Sequence, residues 1–322
     1  MPDARAFWVA APGRGEIRDE PLPALSNGDV LVRALHSGIS RGTEALVFGG
    51  RVPQTERLRM RAPFQSGHFP APIKYGYSSV GLVEQGPQGL RDRTVFVLYP
   101  HQTRYVVPAD AVHVLPDTLP PERAVLAANL ETAINGVWDA SLQVGDRVAV
   151  IGAGTVGCLA AWLAARVAGC EVELVDINPH RSAIARALGV RFAEPGEAAR
   201  EADVVIHASG SPSGLVLALE LAAFEARVVE LSWYGDQAVS LPLGAAFHAR
   251  RLTMASSQVG HIASGQRARW NTRRRMQLAL KLLADPCLDT LITGESDFET
   301  LPQVMAELAV SPGDTLCHRL RY

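Results

Sequence analysis

The run VAVIGAGTVG at 148–157 constrains this chain more than any other feature. Residues 147–151 read as a strand buried on both faces, and 156–168 as an apolar helix. Between them Gly152, Gly154 and Gly157 form GxGxxG. The first glycine permits a tight turn out of the strand, the second lets another group approach the backbone, and the third allows helix and strand to pack closely. Thr155 and Val156 complete the turn into the helix, whose first N–H groups and positive dipole end face outward. This is the cradle for the pyrophosphate of a dinucleotide. Asp176 ends the next predicted strand, 171–176. A carboxylate there accepts hydrogen bonds from an adenosine ribose diol and repels a 2′-phosphate, which favours NAD. Arg181, five residues on, can neutralise such a phosphate and keeps NADP open.

The texture on either side sets the class. Residues 5–10, 29–35, 80–84, 94–98 and 104–107 are short strand candidates separated by Gly and Pro. The polar stretch 49–72 is expected to be a surface loop. From about residue 116 the pattern alternates: helix 122–139, strand 147–151, helix 156–168, strand 171–176, helix 179–188, strand 204–209, helix 214–224, then strands 227–232 and 252–258. Such alternation implies an α/β fold with a doubly wound parallel sheet. Helices 273–283 and 301–308 and a strand at 315–320 close the chain.

Composition narrows the function. A chain of 322 residues, 48% hydrophobic and 20% charged, can build two domains with cores of their own. A net charge of −2 supplies no positive field for a nucleic acid. The apolar stretch at 159–168 is too short to cross a bilayer, and the charged first 20 residues lack a signal-peptide core. The expectation is a cytoplasmic protein without membrane or nucleic-acid partners. Cys158, Cys170, Cys287 and Cys317 form no CxxC pair and read as apolar side chains of a reduced compartment. His36, His101, His113, His207, His248 and His261 lack metal spacing and read as satisfied or exposed histidines. The basic run 267–275, around Trp270, reads as a solvated helix face, and Lys74 as a surface charge.

The chain resembles the medium-chain dehydrogenase/reductase superfamily, the zinc-type alcohol dehydrogenases and their relatives. GDVLVRALHSGIS at 28–40 and KYGYSSVGLVEQG at 74–86 are similar to its GroES-like catalytic domain. The glycine motif is similar to its Rossmann domain, and LITGESDFETLPQVMAEL at 291–308 to its returning segment. HSGISRGTE at 36–44 is similar to the branch that oxidises a hydroxyethyl side chain in bacteriochlorophyll synthesis. The resemblance implies a GroES-like β-rich catalytic domain at 1–120, a Rossmann domain at 121–260 and a segment at 261–322 returning to the first. It also implies a nicotinamide cofactor, a small-molecule substrate between the domains, and a homodimer.

The chain departs from the zinc enzymes where the metal is bound. Ser40 stands at the first ligand position, Tyr77 at the second and Asn129 at the third. Neutral hydroxyls and amides are poor zinc ligands, and 87–116 contains no Cys for a structural zinc. The expectation is a zinc-free oxidoreductase in which Ser40, Tyr77 and Asn129 face the reacting oxygen, with Tyr77 able to donate its proton. Lys74 would lower the Tyr77 pKa if the chain turned there. Glu131 is a candidate general acid/base, and Glu44 matches the acid that follows the first ligand. The resemblance brings Arg41 to the cofactor pyrophosphate and Trp233 and Tyr234 to the substrate pocket. Alcohol/carbonyl chemistry is the main expectation. A quinone or enoyl reductase and a non-catalytic dinucleotide sensor are the alternatives.

Overall fold

The computed structural model describes residues 3–322. The chain forms two compact units, Met1–Ala128 with Leu280–Tyr322, and Asn129–Ala279.

The second unit is built on a six-stranded parallel sheet. Its strands lie in the order Arg191–Ala193, Glu171–Val175, Arg147–Ile151, Ala202–His207, Ala222–Glu230, Thr253–Ser256. Every neighbouring pair is parallel. Read in chain sequence this order is 3-2-1-4-5-6, the doubly wound Rossmann arrangement, which reverses direction beside the first strand. The expected βα alternation is therefore present, with ends that coincide or move by up to five residues, and with one strand, Arg191–Ala193, that was not expected. Ala149, Ile151, Val175, Val205, Val228, Leu215 and Leu219 share one buried cluster, the apolar strand runs facing the helix Pro212–Leu221.

The first unit carries the β-rich part. A seven-stranded sheet centres on Asp29–Ile39, which pairs antiparallel with Ser79–Gln85, Arg104–Pro108 and Cys317–Arg321. Val30, Val32, Val83, Val95, Val97, Tyr105 and Val107 fill its core. The strand Cys317–Arg321 is interior to this sheet, parallel to Ile292–Asp297 on its other side, so the tail completes the unit formed by the first third. Ala4–Ala11 pairs with Arg14–Glu20 in a separate four-stranded sheet.

Three expectations need correction. The helix expected at 122–139 is two helices, Pro121–Ala124 and Ala127–Ala140; between them the Val125 carbonyl accepts from the Ser78 hydroxyl. Lys74 is buried instead of solvated. Its ammonium donates to Glu20 Oε2 at 2.6 Å and Gln102 Oε1 at 2.7 Å, and lies about 6 Å from the rings of Trp8 and Tyr99. The run 267–275 is only partly a solvated face, because Arg275 is 1% exposed. No helix among the described residues is long and apolar enough to cross a membrane.

Candidate functional site

In the second unit the three glycines play three distinct steric roles. Gly152 has φ +102°, and a Cβ there would lie 2.5 Å from Ser209 Cα. A Cβ on Gly157 would come within 1.8 Å of the Gly152 carbonyl oxygen, so helix and strand close up only around glycine. A Cβ on Gly154 meets nothing within 4 Å. That open space lies where the helix Thr155–Ala164 begins, with Thr155 and Val156 in its first turn. The Asp176 carboxylate braces the same turn, accepting from Ala153 N–H at 2.6 Å and Asn178 N–H at 2.9 Å. Arg181 opens the helix Arg181–Leu188 and is buried. Its charge draws the Cys158 thiol down, but burial outweighs it and pushes that thiol up to about 12. The residues present fit a dinucleotide: a cradle without side chains, a helix start and an acidic residue just past the end of the next strand.

A cluster that the sequence reading left unassigned stands beside the cradle. His207 and Glu230 are the last residues of adjacent strands and face each other in register. His207 Nδ1 lies 2.8 Å from Glu230 Oε2, and its Nε2 lies 2.6 Å from Ser209 Oγ. Glu230 also accepts from Ser232 N–H at 2.6 Å and from the Tyr234 hydroxyl at 3.0 Å. Tyr234 therefore has its polar end committed, and burial with Glu230 holds its phenol well above the ordinary tyrosine range. Trp233 is half-buried in the same segment. The signal available in sequence was position alone, since strand carboxyl ends border the ligand crevice in such sheets.

Asn129 and Glu131 lie near the start of the helix Ala127–Ala140, both buried. Arg275 Nε donates to Glu131 Oε1 at 3.0 Å, its Nη1 to Asn135 Oδ1 at 2.6 Å, and its Nη2 to the Val259 carbonyl at 2.6 Å. Burial raises the Glu131 pKa and Arg275 opposes the rise. The carboxylate is occupied by a structural cation.

In the first unit the structure brings Ser40 and Tyr77 together. The Tyr77 hydroxyl is hydrogen-bonded to the side chains of Ser40 and Thr43, and burial together with the Glu44 charge pushes its pKa up to about 12. Lys74, tied to Glu20, does not lower it as the sequence reading allowed. Glu44 is 3% exposed. Its Oε1 accepts from Ser40 N–H at 2.8 Å, and its Oε2 lies 2.8 Å from His101 Nε2. Tyr77 meets Tyr75 edge-on at 5.9 Å, and Tyr75 in turn meets Phe69. Arg41 begins the helix Arg41–Phe48, its Nη1 donating to the Thr315 carbonyl at 3.2 Å.

Ser40, Tyr77 and Asn129 are the residues that the sequence resemblance set at zinc-ligand positions, where that ion takes thiolate, imidazole or carboxylate. Two neutral hydroxyls and an amide do not fit that ion. Among the described residues no three His, Cys, Asp or Glu side chains are grouped to hold a metal.

No protein-family model matches the chain. It is 28% identical over 203 residues to D-guloside 3-dehydrogenase of Escherichia coli K12, a match covering 59% of this chain and 56% of that one. The chain thus spans just over half the length of this curated relative. L-idonate 5-dehydrogenase from E. coli superposes with a TM-score of 0.81 at 16% identity, covering 99% of this chain and 98% of the other. A short chain alcohol dehydrogenase from E. coli CFT073, complexed with NADH, gives 0.77 at 17%, covering 99% of both. The fold is that of the medium-chain dehydrogenases, a GroES-like domain with a Rossmann domain. A further relative is an uncharacterized zinc-type alcohol dehydrogenase-like protein of Haemophilus influenzae, 32% identical over 138 residues, a match covering 39% of this chain and 40% of that one.

Proposed function

We propose that this chain is a zinc-independent NAD-dependent oxidoreductase that moves hydride between nicotinamide and an alcohol/carbonyl substrate. The glycine cradle carries the reading: only bare backbone fits at Gly152 and Gly157, while space stays open at Gly154. Gly152, Gly154, Thr155, Val156 and Gly157 hold the pyrophosphate, and Asp176 takes the adenosine ribose hydroxyls, which favours NAD over NADP. Arg181 is buried and is the cation that keeps NADP open. Arg41 is proposed to add a cation toward the phosphates, and Trp233 and Tyr234 to line the substrate pocket. The names of the relatives support a secondary alcohol of the sugar or polyol type as substrate; the chain is further proposed to act in the cytoplasm as a homodimer.

When bound, the nicotinamide supplies or accepts the hydride. Tyr77 manages the proton. With a pKa near 12 its phenol is neutral at pH 7, and an alkoxide, whose conjugate acid lies near water's value of about 16, takes the proton downhill. Ser40 and Thr43 orient the hydroxyl and stabilise the phenolate left behind. Asn129 is proposed as a further neutral donor, while Glu131 holds Arg275 instead of moving protons.

The test is binding of NADH and NADPH by fluorescence, then turnover against polyol-derived ketones, quinones and enones with chelator present. NADH should bind more tightly than NADPH, and ketones should turn over without added metal. Binding of neither nucleotide overturns the proposal. Turnover of quinones or enones alone assigns the chain to that class, and tight binding without turnover makes it a sensor.

A further inference from the structure

His101 is fully buried and is not used by the mechanism above, yet it touches both supports of Tyr77. On its face, a Cβ added to Gly76 would come within 3.0 Å of His101 Cδ2, so the residue before Tyr77 packs directly on the imidazole. Gly76 has φ +136°, a backbone conformation that L side chains rarely adopt. On its edge, His101 Nε2 lies 2.8 Å from Glu44 Oε2. The other oxygen of Glu44 accepts from Ser40 N–H, while Glu44 N–H donates to the Ser40 carbonyl at 2.9 Å. That reciprocal pair fixes the turn 40–44, whose Ser40 and Thr43 side chains grip the phenol.

Behind the ring, His101 Nδ1 lies 2.7 Å from Ser37 Oγ, and Ser37 Oγ lies 2.8 Å from the Tyr322 hydroxyl. One assignment gives every donor an acceptor. Tyr322 donates to Ser37, Ser37 donates to Nδ1, and the Nε2 proton goes to an ionised Glu44. The Tyr322 ring is itself stacked on Phe298 at 4.8 Å. The imidazole is thus held in one tautomer, with its N–H aimed at the carboxylate.

We propose that His101 is the positioning residue for Tyr77, acting through Gly76 on one side and through Glu44 and the turn 40–44 on the other. It does not touch the reacting atoms. It anchors Glu44 Oε2, and Glu44 keeps the hydroxyl pair and its own negative charge beside the phenol. A leucine at 101 leaves Glu44 Oε2 buried without a donor. The carboxylate then loses its anchor, the turn 40–44 loosens, and the phenol loses the fixed negative charge that raises its pKa. A glutamine can donate from its amide and accept at its oxygen, so it can serve Glu44 and Ser37 together.

The inference rests on Tyr77 being the proton donor, but its test needs neither cofactor nor turnover. The protein is labelled with 13Cζ-tyrosine, which gives six signals, and Y77F assigns the one from Tyr77. Tyr75 and Glu44 are the titratable groups that face it. In H101L and in E44Q the Tyr77 ionisation should fall by about one unit, and in H101Q it should stay within a few tenths of wild type. Circular dichroism reports folding of each variant. A folded H101L or E44Q whose Tyr77 titrates as in wild type overturns the proposal, as does an H101Q that shifts as far as H101L. If H101L does not fold, E44Q and H101Q decide between these outcomes. Failure of the functional reading shows separately, as a wild-type protein that neither binds nor turns over NADH.

Discussion

Tyr77 is a partly buried phenol bonded to two hydroxyls, and its ionisation is set by burial and by Glu44. If it gives the proton, Y77F should lower kcat by about 10²–10⁴-fold and leave NADH affinity within twofold, as read by steady-state kinetics and fluorescence titration. Equal losses in binding and turnover would assign the ring to packing. Arg275 makes the opposite kind of residue, a buried charge with a structural task. R275M should cost about 3–5 kcal/mol in urea unfolding, because it strands the Glu131 carboxylate. The double variant R275M/E131L should recover much of that loss. The sequence placed Tyr77 and Glu131 on a short list of candidates, but their surroundings were not legible. Lys74 lies beside Glu20 only because one four-stranded sheet brings positions 54 residues apart together, and Arg275 reaches Glu131 across 144. No local pattern encodes such pairings.

The elements were read best where burial is uniform. The strand Arg147–Ile151 was expected at its observed limits, since a central parallel strand is apolar on both faces and stops at a glycine turn. The strand Arg14–Glu20 was not expected. Its residues are mostly charged, and its pairing with Ala4–Ala11 is supported by Arg18 lying over Trp8 and by Trp8 Nε1 donating to Glu20. At this scale the glycine turn offers a clean contrast. G157V would drive a side chain into the Gly152 carbonyl and should unfold the unit or lower its melting temperature steeply. G154V meets open space, so it should melt close to wild type while losing at least tenfold in NADH affinity. A G154V protein that binds NADH normally would move the nucleotide away from this turn.

For the whole molecule, the decisive feature is that the tail completes the unit that the first third begins, and one ion pair joins segments 166 residues apart. Arg123 donates to Asp289 through Nε at 2.6 Å and Nη2 at 2.7 Å, while its Nη1 reaches the carbonyls of Leu283 and Ala284. The guanidinium holds the Asp289 carboxyl below the ordinary aspartate range. A depressed carboxylate stabilises the folded state fully above its unfolded value of about 3.9. That contribution is lost as pH falls through the lower folded value. Asp203 beside Arg147 and Glu295 beside Arg319 are shifted the same way and add to the same acid limb. Asp289 is largely exposed, so solvent screening limits its share to under about 1 kcal/mol. D289N should therefore be slightly less stable than wild type at pH 7, and the gap should close as pH falls through the depressed folded value of Asp289, where wild type loses the ion pair. Urea midpoints measured at steps from pH 6 to pH 2.5 check this, and a gap between the two proteins that stays constant down to the lowest pH would show that the tail is held by its strand alone.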